Sequence, residues 1–185
     1  ELPVDVIKLD RSFMIGLERQ PNQLRFMMNL VYLVQGLGLD LVAEGVECHP
    51  TGDALAALGV RLAQGYAIAR PMGMEDLLKW LKRYKPVPWT RPTSMLGAVA
   101  LQLSGLDATA RILQQRPAFL RYMVDRNPDT ECDIGVHLNS LGPIGSRAAE
   151  AHRVWHATMD SLSSHPGGIV DAPTFHAARI AYEEE

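Results

Sequence analysis

The chain has 185 residues, 47% of them hydrophobic, and a formal net charge of −3. That length accommodates one ordinary domain or two small ones, and the acidic balance excludes the broad basic surface of a protein that binds nucleic-acid polymers. No run approaches the roughly 18–20 apolar residues that span a bilayer, the opening residues lack the basic start and apolar core of a signal peptide, and two cysteines, Cys48 and Cys132, are too few for a disulfide framework. The expectation is a cytoplasmic protein. Both ends read as cuts in a longer chain, since the first residue is Glu1 and residues 178–185 read as a helix without a stop signal.

In chain order, the first 85 residues alternate strand and helix. Residues 4–9 are short and β-branched, as in a buried strand. From Pro21 onward, apolar residues recur at Leu24, Met27, Met28, Val31, Val34 and Leu37, a helical spacing that Gly38 ends. Residues 40–44 predict a second strand, Thr51 to Leu58 a helix, residues 60–64 a third strand, and Met74 to Tyr84 a helix with Leu77, Leu78 and Leu81 on one face. Repeated βα units imply a parallel sheet, either open or part of a barrel. Residues 86–94 carry Pro86, Pro88 and Pro92 and predict a linker. Beyond it, 95–185 predict helices at 107–115, 117–124, 132–141 and 147–162, a small all-α bundle. The expected organisation is therefore an α/β unit over 1–85, a linker over 86–94 and a helical accessory or sensor domain over 95–185.

Three polar residues stand where the apolar strands end: Lys8, Glu44 and Gln64. In parallel α/β architectures that rim is where active sites gather. A lysine offers a positive point charge, a carboxylate binds a divalent cation or accepts a proton, and an amide orients a ligand. Each also fits an incidental polar residue at a loop start.

The segment Leu2-Pro3-Val4-Asp5-Val6-Ile7-Lys8-Leu9-Asp10-Arg11-Ser12-Phe13 resembles part of the EAL-type cyclic-di-GMP phosphodiesterase domain. Val42-Ala43-Glu44-Gly45-Val46-Glu47 is similar to that family's next signature, and Gln64-Gly65-Tyr66 with Arg70-Pro71-Met72 to its last. The resemblance covers about residues 1–85 and implies the C-terminal part of a modified TIM barrel that hydrolyses cyclic di-GMP to the linear dinucleotide pGpG with Mg2+ or Mn2+. It implies that Lys8 holds the attacking water and substrate phosphate, and that Glu44 is a catalytic carboxylate and metal ligand. Gln64 is implied as catalytic and substrate-binding, and Pro71 as substrate-binding. Asp10 and Glu47 are implied to support loops. The family's other metal ligands belong upstream of Glu1, so this polypeptide alone is expected to be inactive. The alternative is an EAL domain without catalysis that serves as a cyclic-di-GMP receptor.

In the tail, His152 and His156 lie four apart on a predicted helix, so they share a face and suit one metal ion, with Cys132 as a thiolate donor. Cys132, Gly135 and Leu138 followed by the His152/His156 pair are loosely similar to the chemoreceptor zinc-binding domain, which implies Zn2+. That family also has a histidine about thirty residues before the cysteine, absent near Leu101-Gln102-Leu103 here, with His137 a candidate substitute. The same residues fit a plain helical accessory domain with a buried cysteine. The tail is expected to regulate the barrel, and a homodimer through barrel or tail is a further expectation.

Overall fold

The computed structural model describes residues 3–86, 89–115 and 128–163. The helices expected over 117–124 and 178–185 lie outside those residues. Two compact units are present, Glu1–Ala100 and Leu101–Glu185.

In the first unit, β1 (Val6–Leu9), β2 (Asp40–Ala43) and β3 (Leu62–Ala63) form a parallel sheet in the order β1-β2-β3. Helix α1 (Pro21–Gly36) joins the first two strands, α2 (His49–Ala57) joins the next two, and α3 (Met74–Arg83) follows β3. Among the described residues the sheet has three strands and does not close. Leu9 stands opposite Ala43, and Ala43 opposite Ala63. Side chains alternate faces along a strand, so Ile7, Leu9, Leu41, Ala43 and Ala63 share one face. Leu9, Leu41 and Ala43 are buried there, and α1 packs on β2. The opposite face carries Val6 and Leu62, each nearly half exposed.

Helix α1 buries Leu24, Met27, Met28, Val31 and Val34, the stripe its spacing predicts. Leu37 leaves that stripe and is 62% exposed. The helix stops at Gly36, and Gly38 turns the chain with φ +72. On α3, Leu78 and Leu81 are exposed rather than buried.

The proline-rich stretch is not a free tether. Asp53 of α2, 5% exposed, accepts hydrogen bonds from Trp89 Nε1 at 2.8 Å, Thr93 N at 2.9 Å, Ser94 N at 2.8 Å and Ser94 Oγ at 2.6 Å. Ser94 Oγ in turn accepts from Gly97 N at 3.0 Å, so one carboxylate ties residues 89–94 to α2 and orders the start of α4 (Met95–Gln115). That capped start explains why α4 begins well before residue 107. Burial alone would raise the Asp53 carboxyl pKa, but the hydrogen bonds from Ser94, Trp89 and Thr93 outweigh it and lower the value.

Asp53→Ala leaves an indole N–H and two backbone N–H groups without their acceptor, so it should lower stability by about 3 kcal/mol. Because the folded pKa lies below the unfolded one, the ionised carboxylate's contribution is complete above the ordinary carboxylate range. It is lost as pH falls through the lowered folded value. Urea midpoints of protein and variant should therefore differ most at neutral pH and converge in acid. Equal midpoints at pH 7 would remove Asp53 as the tie.

The described regular elements of the second unit are helical. Helix α4 continues into it, and α5 (Asp133–Ser140) and α6 (Ser146–Ser163) flank a 3-10 turn at Gly142–Ile144. Ile134, Leu138 and Ala149 form its core, with Leu101, Cys132, Leu141 and Ala148 against it.

Candidate functional site

Backbone bonds carry the ladder one residue past β2 and β3. Glu44 N donates to Leu9 O at 2.9 Å, Gln64 N to Ala43 O at 2.8 Å, and Val46 N to Gln64 O at 3.0 Å. The two-residue period then assigns Lys8, Glu44 and Gln64 to the same sheet face as Val6, Val42 and Leu62, at the C-terminal ends of the strands. Lys8 Nζ and Glu44 Oε1 form an ion pair, with Glu44 the less exposed partner. Gly45 follows with φ +70, and a Cβ there would run into the Arg11 side chain, so the loop after Glu44 requires glycine twice over.

Gln64 and Pro71 line a neighbouring cleft of about 510 Å³ with Arg11, Glu47, Tyr66, Arg70 and Trp80; Lys8 and Glu44 are not part of its lining. Arg11 grips Glu47 through two nitrogens at 3.0 and 3.2 Å. Arg70 lies 4.8 Å from the centre of the Tyr66 ring, a cation–π arrangement. Asp10 accepts from Ser12 N at 2.8 Å and caps the 3-10 turn Arg11–Phe13, which lowers the Asp10 pKa and sets the position of Arg11. The cleft thus offers guanidinium charge beside an aromatic face, a combination suited to an anionic planar ligand. Arg11, Tyr66 and Arg70 stand within the sequence motifs without a role of their own there; their adjacency to Asp10, Gln64 and Pro71 is the signal that marks them.

The second unit brings three of its expected residues together. Cys132 precedes α5 as its N-cap, and the turn at Gly142–Ile144 lets α6 return beside it. Cys132 Sγ is 3.3 Å from His152 Nε2, the His152 and His156 rings are 4.7 Å apart, and one donor atom from each residue falls within 4.8 Å of the others. His152 is 1% exposed, and its Nδ1 has no hydrogen-bond partner. Burial first, then the neighbouring His156, lowers the His152 pKa to about 4, and burial lowers that of His156. The His152 imidazole is therefore neutral at pH 7 and keeps a lone pair for a metal, and burial favours the neutral form of His156 as well. One thiol and two imidazoles within a common 4.8 Å are a donor set that fits zinc. Gly135 permits this packing: a Cβ there would strike the Pro128 carbonyl and come 3.3 Å from His152 Cδ2. His137 is buried with Nε2 unpartnered, but it is not a member of the group.

Residues 1–71 match the EAL domain family. The chain is 42% identical over 83 residues to the cyclic di-GMP phosphodiesterase PA2567 of Pseudomonas aeruginosa, covering 45% of this chain and 14% of that protein. It is 41% identical over 80 residues to the cyclic di-GMP phosphodiesterase RocR of the same organism, covering 43% and 20% respectively. Over 82 residues it is 35% identical to the cyclic di-GMP phosphodiesterase PdeR of Escherichia coli, covering 44% and 12%. The chain thus spans a fifth or less of the length of these relatives. No described helix is long and apolar enough to cross a membrane.

Proposed function

We propose that residues 1–85 form the C-terminal portion of a cytoplasmic phosphodiesterase that hydrolyses cyclic di-GMP to pGpG. The Lys8–Glu44 pair at the C-terminal rim of the parallel sheet carries this reading. Lys8 supplies positive charge to a phosphate oxygen or the attacking water, and Glu44 accepts a proton or binds a cation. Gln64 and Pro71 hold the substrate in the adjoining cleft, where Arg70 beside Tyr66 meets its charge. Magnesium or manganese belongs to the complete site. Among the described residues the rim contributes a single expected donor, Glu44, already engaged by Lys8, which does not amount to a cation cage. The test is chromatographic detection of linear dinucleotide from cyclic di-GMP and the complete protein with either ion. Tight binding without product would favour the receptor reading instead. The chain by itself is expected to be inactive.

A second reading concerns the tail, favoured by the convergence of Cys132, His152 and His156. The second unit is a zinc-binding module that regulates the phosphodiesterase or joins two copies of it. The three side chains hold the ion, which cross-links α6 to the start of α5. Zinc titration against a chromophoric chelator under reducing conditions tests it.

A further inference from the structure

Cys132, His152 and His156 bring three donor atoms within 4.8 Å of one another, with Cys132 Sγ 3.3 Å from His152 Nε2. Zinc in proteins takes four ligands, and a centre with three protein donors keeps its fourth position for a molecule from solution. Two flanking carboxylates are committed elsewhere. Asp129 Oδ1 meets Arg153 Nη1 at 3.1 Å and accepts from Asn139 Nδ2 at 3.0 Å, and Glu150 Oε2 meets Arg153 Nη2 at 2.6 Å. Glu131 and Asp133, on either side of Cys132, are exposed and outside the group, and so is the buried His137. Among the described residues the cluster therefore ends at three donors. Solvent also reaches it: Cys132 and His156 are half-buried, and His152 alone of the three is sealed.

Resting on the zinc reading of this unit, we propose that Cys132, His152 and His156 form an open metal centre whose fourth ligand is a thiolate from solution, so that the second unit binds small thiols through its ion. Charge and softness select that class. Imidazole ligates through a neutral lone pair, so one thiolate and two imidazoles leave one positive charge of a divalent ion uncancelled, and an anionic donor cancels it. A donor set that already includes sulfur suits an ion that accepts further soft ligands, and thiolates lead that group. The incoming thiol gives its proton to solvent as its sulfur binds, because only the thiolate is a ligand. The partial exposure of Cys132 and His156 gives such a ligand its approach.

Cobalt(II) reads the fourth position directly. The chain is kept reduced with a phosphine, which brings no thiol of its own, and is loaded with less cobalt than protein. Cys132 should then give a thiolate-to-metal absorption band, and 2-mercaptoethanol should roughly double it as the sulfur donors rise from one to two. Ethylene glycol, the oxygen analogue, should leave the spectrum unchanged. Zinc gives a second readout at free concentrations fixed by a chelator buffer. With 2-mercaptoethanol at about tenfold over its own dissociation constant, zinc should bind about 10-fold more tightly, because the two affinities are linked. His165→Ala and His176→Ala, at positions outside the described residues, should leave zinc affinity unchanged. A cobalt spectrum that the thiol does not alter, or a loss of zinc affinity in either histidine variant, would mean that the chain closes the centre itself; either result overturns this proposal while leaving the zinc reading standing. Uptake of neither ion by the unmodified chain would overturn both.

Discussion

In the complete protein, Glu44→Gln should lower cyclic di-GMP turnover by about 100–10,000-fold, the usual consequence of removing an acid or base at a reacting centre. The substitution removes a charge with little change of volume, so the fold should survive it. Glu44 meets Lys8 through its side chain, while its backbone N–H stays bonded to Leu9 O within the sheet ladder. The ion pair is partly exposed, and such pairs contribute about 0–1 kcal/mol. A large fall in turnover with an unchanged unfolding midpoint is therefore the expected combination. Glu47→Gln is the matched control. Glu47 is a carboxylate of the same loop that pairs with Arg11 at 3.0 Å rather than with Lys8, and its loss should lower turnover by less than about 10-fold. Unchanged turnover in Glu44→Gln, or equal losses in the two variants, would take the catalytic assignment from Glu44.

The parts of this molecule that sequence made legible are those governed by local periodicity. The buried stripe of α1 follows from Leu24, Met27, Met28, Val31 and Val34, the first strand follows from the β-branched run at 4–9, and the next two follow from short apolar segments between helices. Strand ends then pointed to Lys8, Glu44 and Gln64, because a parallel sheet fixes which ends share a rim. Spacing of four on a helix likewise pointed to His152 and His156. The illegible parts depend on contacts between distant residues. Asp53 reaches Trp89, Thr93 and Ser94 across about 40 positions, and no pattern along the chain marks that carboxylate as the acceptor for a stretch that reads as a linker. The early start of α4 follows from the same tie. Arg11 reads as one more charge after a strand until Asp10 caps its turn and Glu47 fixes its guanidinium. His137 was a candidate fourth ligand by proximity in sequence alone, and the fold leaves it outside the group.

The tail's largest expected effect is on zinc. The unmodified chain should bind about one equivalent, and His152→Ala should weaken that binding by more than about 100-fold, beyond the range seen when only outer partners are changed. His152 is the donor that the structure holds most firmly: it is almost fully buried, it lies 3.3 Å from Cys132 Sγ, and it packs against Gly135. Because it is so buried, its loss also leaves a cavity, and weaker zinc binding in that variant alone would be open to a purely structural cause. His156→Ala separates the two causes, since His156 is only partly buried and its truncation should leave the core of Ile134, Leu138 and Ala149 intact while still removing a donor. Cobalt(II) supplies an independent signature of the sulfur. A thiolate-to-metal absorption band should appear in the unmodified chain and in neither Cys132→Ser nor a chain titrated with excess zinc. Zinc in excess of its dissociation constant should also raise the unfolding midpoint, by an amount equivalent to about 2.7 kcal/mol at a hundredfold excess. That increment should vanish in all three variants. If the unmodified chain takes up no zinc under reducing conditions, or if His152→Ala and His156→Ala keep full affinity, the three residues are a buried packing cluster and the second unit is a plain helical accessory domain.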